Sequence, residues 1–412
     1  MKKQDKILFL APLYLPGLIS GSEVVVRDLA EGLIQLDKDV VVVTSDGMTG
    51  RRWYIPFFEQ RISPSEETIH GVTVIRLPCR PFISLGLFFV NKIMKATVGK
   101  MPLFKRWSDR IEILSWGPIL SNLERTIVSE RPSIVSLSPF PAGICLSGKE
   151  ICKKHRIPYS VIPFFKKDQK LFENHLLGQI LDEASVIFTP TNTEKKYIRQ
   201  FTANNRIFIL PSSIDTAFIK AHTYEIRRET EKLRRRFAGD RIILFAGNKG
   251  VGKGIIDAAE AVKRLERHDI VFVAMGHGSR DWQTYYRQRF GVQIVDLPYL
   301  TGPQKYAYFA LCDALILPST TDNFPLVFLE AWQFKKPVIA YDYYSMRELV
   351  GDGSGLLAKP RDIADLTRVL RTVLDDHGLA QRIGTIGYNK VSRFTIDRVV
   401  RQYFLPAFKT IL

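Results

Sequence analysis

The sequence predicts an α/β protein made of two doubly wound halves, and three observations carry that prediction. The chain has 412 residues, 46% hydrophobic and 25% charged. That is a globular composition on a chain too long for one ordinary core, so two domains of roughly 200 residues each are expected. Short continuous apolar runs recur along it, each the length of a strand buried on both faces. Between them, apolar residues repeat at helical spacing, as the crossovers joining parallel strands require.

The first run, residues 6–11 (KILFLA), reads as a buried strand and residues 40–44 (VVVVT) as the next. Val25, Leu29, Leu33 and Leu36 form one apolar helical stripe between them, giving a β-loop-α-β unit. Strands follow at 72–76, 133–137, 159–162, 186–189 and 207–210, and residues 211–216 (PSSIDT) have turn character. Residues 225–236, ending in Arg234, Arg235 and Arg236, read as a solvated helix. No aromatic residues interleave these charges, so the segment is not read as a nucleic-acid surface. A second series has strands at 242–246, 270–274, 293–297, 314–317 and 337–340, with helices at 255–266 and 363–374. The expected division is a Rossmann-like domain over 1–210, a second over 211–392, and a C-terminal helix over 393–412 packing back on the first. Two such halves imply a cleft between them, a favoured place for a ligand.

Net charge is +17, from 59 basic and 42 acidic residues. This excess points either to an anionic partner or to basic residues that merely solvate the surface. Cys79, Cys145, Cys152 and Cys312 are scattered without metal-ligand spacing, which implies free thiols in a reducing compartment. The apolar start reads as a first strand and not as a signal peptide, because the run is short and no clean cleavage site follows. No stretch reaches the roughly 20 apolar residues that span a bilayer. The nearest approach, residues 81–90 (PFISLGLFFV), is followed by Lys92, Lys95, Lys100, Lys105 and Arg106, with Met94, Met101, Leu103, Phe104 and Trp107 among them. It reads either as a segment lying on an anionic membrane surface or as a helix pair with an exposed basic face.

Three loops carry candidate chemistry. After the first strand, Gly17 and Gly21 lead into a helix start, which offers free N–H groups and a positive dipole end to a phosphate. The G-x-G-x-x-G fingerprint of nicotinamide-binding domains is absent. Residues 242–254 (IILFAGNKGVGKG) place Lys249 and Lys253 on a glycine-rich turn after a strand. A P-loop is excluded because Gly254 stands where a magnesium-binding hydroxyl belongs, but Lys253 remains a candidate to neutralise a diphosphate. In residues 317–340 (LPSTTDNFPLVFLEAWQFKKPVIA), Pro325 is expected at the first helical position, with the Leu326 and Val327 amides aimed at an anion. Asp322 is a candidate for sugar hydroxyls and Glu330 for a ribose diol; the alternative is that Asp322 caps the helix and Glu330 is a solvated helical residue.

At these residues the chain resembles the retaining GT-B glycosyltransferases of family four, over nearly its whole length. Gly247–Gly254 is similar to that family's G-R-L-x-x-x-K-G, and Asp322 through Glu330 to its E-x7-E segment. PSSIDT is similar to its P-N-G-V-D-T crossing, Ser20-Gly21-Ser22-Glu23 to its G-G-x-E loop, and Gly353-Ser354-Gly355-Leu356-Leu357 to its N-G-L-L turn. The resemblance implies a GT-B fold, two Rossmann-like domains facing across a cleft, with the acceptor on the first and a nucleotide-diphosphate sugar on the second. It gives Lys253 the donor diphosphate, helped by Ser20, Gly21 and the Leu326 and Val327 amides. It gives Glu330 the ribose, and places Asp322, Asn323, Phe324 and Pro325 around the transferred sugar. Lys253, Asp322 and Glu330 are thus the expected catalytic residues. Backbone groups at 275–279, Gly276 among them, and at 297–299 would contact the base.

The implied chemistry retains the anomeric configuration and needs no metal or other cofactor. The expected acceptor is a glycan or a lipid-linked glycan in cell-surface polysaccharide or glycoconjugate synthesis. The expected location is cytoplasmic, at the inner face of the plasma membrane, with no nucleic-acid partner. The chain departs from the pattern in several places. Asn248 stands where an arginine contacts phosphate, Asp322 replaces a glutamate, and Pro325 replaces a glycine. A histidine expected after the middle strands of the first domain is missing, and Phe164, Lys166 or, further on, His175 are the candidates near its place. These departures leave a second reading open, a GT-B protein that binds a nucleotide or glycan as a partner subunit without catalysis.

Overall fold

The computed structural model describes residues 5–15, 21–55, 61–97, 102–165, 174–288, 293–409 and 411. The chain divides into two compact units. The first comprises Met1–Pro190, Glu194–Leu210 and Val400–Leu412, and the second comprises Thr191–Thr193 and Pro211–Val399.

In the first unit the strands are β1 (Ile7–Leu10), β2 (Val40–Ser45), β3 (Glu66–Ile69), β4 (Val72–Leu77), β5 (Ile134–Leu137), β6 (Tyr159–Val161), β7 (Val186–Thr189) and β8 (Ile207–Ile209). Among the described residues they form one eight-stranded sheet in the order β3-β4-β2-β1-β5-β6-β7-β8. All neighbours are parallel except β3, which pairs antiparallel with β4 at the edge. β1, β2 and β5 are buried on both faces, which is why they read as unbroken apolar runs. β3 (EETI) instead alternates exposed and half-buried residues, so no apolar run announces it. The helix after β1, α1 (Gly21–Ile34), buries Val25, Val26, Leu29 and Leu33 against the sheet. It stops before Leu36, whose amide closes a turn on the Leu33 carbonyl at 3.0 Å.

The basic-apolar segment after β4 forms two helices, α2 (Pro81–Ala96) and α3 (Pro102–Leu114). They pack together, tied by Lys95 to Glu112 at 2.5 Å and by Asn91 to Ser115 at 3.2 Å. The outer side of α2 is not a core face, because Phe82, Phe89 and Ile93 are exposed, as is Trp107 on α3. Lys100 and Met101 lie outside the described residues. At the end of the chain Phe404 is fully buried, stacked on Phe9 and Phe188 at 5.8 and 5.1 Å and edge-on to Phe408 at 4.6 Å.

The second unit holds β9 (Arg241–Ala246), β10 (Ile270–Met275), β11 (Gln293–Leu297), β12 (Ala314–Leu317), β13 (Val338–Tyr341) and β14 (Leu356–Ala358). Its described strands make a parallel six-stranded sheet, order β11-β10-β9-β12-β13-β14. Helices Ile255–Lys263 and Ile363–Asp375 bury their apolar stripes in its core. The segments by which the chain enters and leaves this unit are joined to each other: Ile214 pairs with Thr395 in a parallel bridge, and the Ile214 amide donates to the Phe394 carbonyl at 2.9 Å. Asp215, the acid of PSSIDT, caps the helix Thr216–Ala221 by accepting from the Phe218 amide at 2.8 Å. Each unit is thus a doubly wound Rossmann-like sheet, and the strand order reverses between β1 and β5 in the first and between β9 and β12 in the second.

Candidate active site

In open α/β sheets ligands bind beyond the carboxyl ends of the strands where the order reverses. In the second unit that place lies beyond β9 and β12, and the glycine-rich turn follows β9 while the Asp322–Glu330 segment follows β12. The structure therefore brings together two motifs that stand about seventy residues apart in the sequence.

Close backbone approach fixes this corner. Gly254 has φ +74°, and a Cβ there would stand 2.2 Å from the Pro318 carbonyl oxygen. The P-loop hydroxyl position is therefore closed to any larger residue by packing against the strand end. Gly276, at φ +139°, lies so near Gly247 that a Cβ would meet its carbonyl oxygen at 1.8 Å. The Gly252 carbonyl accepts from the Thr320 amide at 2.9 Å and the Thr321 hydroxyl at 3.2 Å, tying the glycine turn to the residues before Asp322.

Lys249 and Lys253, both candidates for phosphate, have opposite fates. The Lys249 ammonium is buried beneath the turn, donating to Asp296 Oδ1 at 2.6 Å and to the Leu297 carbonyl at 2.8 Å, while Trp282 Nε1 donates to the same Oδ1 at 2.8 Å. It anchors the turn to the end of β11 and is unavailable to a ligand. Lys253 sits in a short 3₁₀ turn, partly exposed, with its ammonium on Asp322 Oδ1. Asn248, in the arginine's place, is exposed on the same turn.

The helix Leu326–Gln333 starts one residue later than expected, because Pro325 is its N-cap and not its first helical residue. The Leu326 and Val327 amides remain in the first turn, where N–H groups have no helical carbonyl to serve. Before it, the Asn323 carbonyl accepts from the Ser345 hydroxyl, and Phe324 packs edge-on to Phe394 with centroids 5.5 Å apart. Behind it, Trp332 donates to the Ser354 carbonyl at 2.7 Å, which seats the helix on the G-S-G turn leading into β14.

Glu330 is not a solvated helical residue. It is 7% exposed, its Oε1 holds the ammonium of Lys305, and its Oε2 is buried without a partner among the described residues. Asp322 repeats the pattern, with Oδ1 on Lys253 and a buried Oδ2 that lacks a partner among the described residues. Two carboxylates on the segment after β12 each keep one unmatched acceptor, and buried acceptors of this kind are costly unless a donor such as a sugar hydroxyl reaches them. Lys305 was missed in the sequence. The signal was there: it is the only charged residue in the helix Gly302–Leu311 (GPQKYAYFAL).

In the first unit Gly21 opens α1, while Ser20 and Gly17 lie outside the described residues, as does Lys166. Glu23 in the first turn of α1 is pushed up to about 7 by burial. His175 begins the helix His175–Glu183, and its Nδ1 is engaged by Asp109 of α3. Phe164 has φ +46°, a left-handed conformation rare for a bulky residue, beside Phe165, whose amide donates to Glu194 Oε1 at 2.9 Å.

Residues 227–390 match the family described as glycosyl transferases group 1. The match lies within the second unit. A glycogen synthase of Mycobacterium tuberculosis is 32% identical over 155 residues, a match that takes in 36% of this chain and 37% of that protein. The chain thus spans little more than a third of that relative's length. Over whole chains, a sucrose-phosphate synthase from Thermosynechococcus elongatus superposes with TM-score 0.75 at 15% identity, covering 99% of both. HepE of Anabaena, solved in complex with UDP and glucose, superposes with TM-score 0.71 at 16% identity, covering 99% of this chain and 100% of its own. The fold is GT-B. In the second unit the candidate residues Lys253, Asp322, Asn323, Phe324, Leu326 and Val327 lie on the segments that follow β9 and β12, and Glu330 lies in the helix that continues from them.

Proposed function

We propose that the chain is a retaining glycosyltransferase of hexosyltransferase type. It moves a sugar from a nucleotide-diphosphate sugar to a glycan or lipid-linked acceptor in cell-surface polysaccharide or glycoconjugate synthesis. The observation that carries this reading is the set of groups on the segments after β9 and β12: Lys253 paired with Asp322, a helix N-terminus, and Glu330 paired with Lys305, each carboxylate keeping one buried oxygen unmatched among the described residues. Lys253 and the Leu326 and Val327 amides receive the diphosphate, Glu330 the ribose, and Asp322 with Asn323 and Phe324 the transferred sugar. The bond between the sugar's anomeric carbon and the diphosphate oxygen breaks as the acceptor oxygen bonds that carbon on the same face, and the acceptor's proton passes to the departing phosphate. Stabilising the charge that builds on the diphosphate is the main catalytic contribution. The scheme calls for no metal ion, since the lysine and the helix end meet that charge. A diphosphate arriving at Lys253 competes with Asp322 for the ammonium, so donor binding frees Asp322 for sugar hydroxyls.

The first unit, on this reading, receives the acceptor and rests on an anionic membrane surface at the cytoplasmic side. The exposed Phe82, Phe89, Ile93 and Trp107 support that, together with Lys92, Lys105 and Arg106 on a helix pair in which α2 carries no acidic residue. Among the described residues no helix is long and apolar enough to cross a membrane. The four thiols are free and buried, and burial pushes Cys79, Cys152 and Cys312 up to about 12, which fits a reducing compartment and gives them no nucleophilic role.

The test is release of nucleotide from a panel of nucleotide sugars, with acceptors, by the wild type and by Lys253→Ala and Glu330→Ala. Release from one donor, reduced by about a hundredfold or more in each variant, is expected. Tight donor binding with no turnover over broad acceptor panels would instead establish a binding-only subunit. For the membrane surface, flotation with vesicles of phosphatidylglycerol is expected to exceed that with phosphatidylcholine alone, and equal recovery would remove the electrostatic component.

A further inference from the structure

Glu330 lies on a helix whose other residues, apart from Gln333, are apolar (LVFLEAWQ), and its carboxylate is buried. A buried carboxylate is tolerated when a cation and hydrogen bonds replace the water it loses. Lys305 supplies the cation, reaching Oε1 from the neighbouring helix Gly302–Leu311, where no other residue is charged. Its ammonium also lies over the Tyr306 ring, 5.4 Å from the centroid. The ring and the carboxylate together hold an otherwise flexible chain in place. Among the described residues Oε2 is left buried without a donor.

An ammonium has three N–H donors, and Oε1 occupies one of them. The Lys305–Glu330 pair therefore holds a buried acceptor, unmatched among the described residues, beside an ammonium with two further N–H groups. A hydroxyl is both a donor and an acceptor, so a vicinal diol can give an O–H to Oε2 and take an N–H from Lys305 through its oxygen. A phosphate offers acceptors only and would leave Oε2 orphaned; an apolar group would leave both sides unmatched.

We propose that Lys305 is a specificity residue for the donor's ribose, reading the diol jointly with Glu330 so that deoxyribose nucleotides are rejected. This rests on the reading above in which Glu330 receives the ribose.

The experiment is calorimetric binding of uridine, guanosine and adenosine diphosphates to the full chain. The nucleotide that binds is compared with its 2′-deoxy and 3′-deoxy forms, and thymidine diphosphate, which lacks the 2′-hydroxyl, is measured alongside. Wild type, Lys305→Met and Lys305→Arg are compared, each checked for an unchanged circular dichroism spectrum. A hydroxyl bonded to a charged pair is worth about 1.5–3 kcal/mol, so the ribonucleotide should be favoured over the deoxy forms by about ten- to a hundredfold. Lys305→Met is expected to weaken the ribonucleotide by about tenfold, equivalent to about 1.4 kcal/mol, while weakening the deoxy form that lacks the contacted hydroxyl by less than about twofold. Lys305→Arg should recover part of the discrimination. An equal loss for ribo and deoxy forms would show that Lys305 meets phosphate or only props the helices, and would overturn the proposal, as would a discrimination ratio unchanged in Lys305→Met. Absence of binding of every nucleoside diphosphate to the wild type would overturn the donor-site reading itself, and the proposal with it.

Discussion

Lys249→Met removes the buried ammonium that pins the glycine turn while keeping most of its volume. The ammonium makes two charge-assisted hydrogen bonds, to Asp296 Oδ1 at 2.6 Å and to the Leu297 carbonyl at 2.8 Å, and the lysine side chain is 2% exposed. Such bonds contribute about 1.5–3 kcal/mol each, and breaking a buried pair from one side costs about 3–5 kcal/mol. The Asp296 side chain keeps 30% of its surface in solvent, so water takes over part of its solvation and the lower end applies, about 3 kcal/mol. For a unit of this size, that corresponds to a fall of about 6–12 °C in the midpoint of its thermal transition. Scanning calorimetry measures it directly. Lys249→Met with Asp296→Asn, which leaves an acceptor for Trp282 Nε1 but no orphaned charge, is expected to regain at least half of the loss. A single variant within about 1 kcal/mol of wild type, or a double variant no better than the single, would refute the claim that the pair anchors the turn.

Glu23 gives a pH-dependent outcome. Its carboxyl is pushed from 4.5 up to about 7 by burial. The folded chain therefore binds the proton more tightly than the unfolded one, and the carboxyl's cost to stability is small below pH 4.5, grows up to pH 7 and is complete above it. Glu23→Gln is expected to stabilise the first unit by about 1–3 kcal/mol at pH 8 and by under about 0.5 kcal/mol at pH 4.5. Urea midpoints at the two values check this, and an equal gain at both would refute it. Phe404→Ala empties a fully buried ring site among Phe9, Phe188 and Phe408 and should cost the first unit about 3–5 kcal/mol in urea unfolding, with Phe404→Leu costing less than half as much. A loss under about 1 kcal/mol would mean that the C-terminal segment adds little to the first unit's core.

The strands buried on both faces were legible because burial on both sides demands an unbroken apolar run, as in VVVVT and IILFA. β3 escaped because an edge strand with solvent on one side can be built from EETI, and β14 because three residues after a glycine turn carry too little pattern. The local motifs of the candidate site were legible for a similar reason: a glycine turn at a strand end and a proline at a helix start are set by nearby backbone. What a charged side chain reaches is set by the fold. Lys249 and Lys253 are four residues apart on the same turn, yet one ends under it against β11 and the other faces Asp322, and nothing local distinguishes them. Lys305 meets Glu330 across 25 positions of chain, a partnership that only the packing of two helices reveals.

The bridge between Ile214 and Thr395 has a consequence for rearranging such proteins. Apart from residues 191–193, the second unit is one continuous stretch, and its first and last segments are hydrogen-bonded to each other. It is in effect a cassette with a single seam, inserted into a first unit that begins the chain and also ends it. Exchanging residues 211–399 for the equivalent stretch of a relative keeps both halves of the seam together and leaves Phe404 with its own partners. A chimera spliced only once, at residue 210, would import a foreign closing segment to cover Phe9 and Phe188. The second unit can therefore be transplanted by a two-cut graft, whereas a simple fusion of front and back halves must also re-match the aromatic plug at the far terminus.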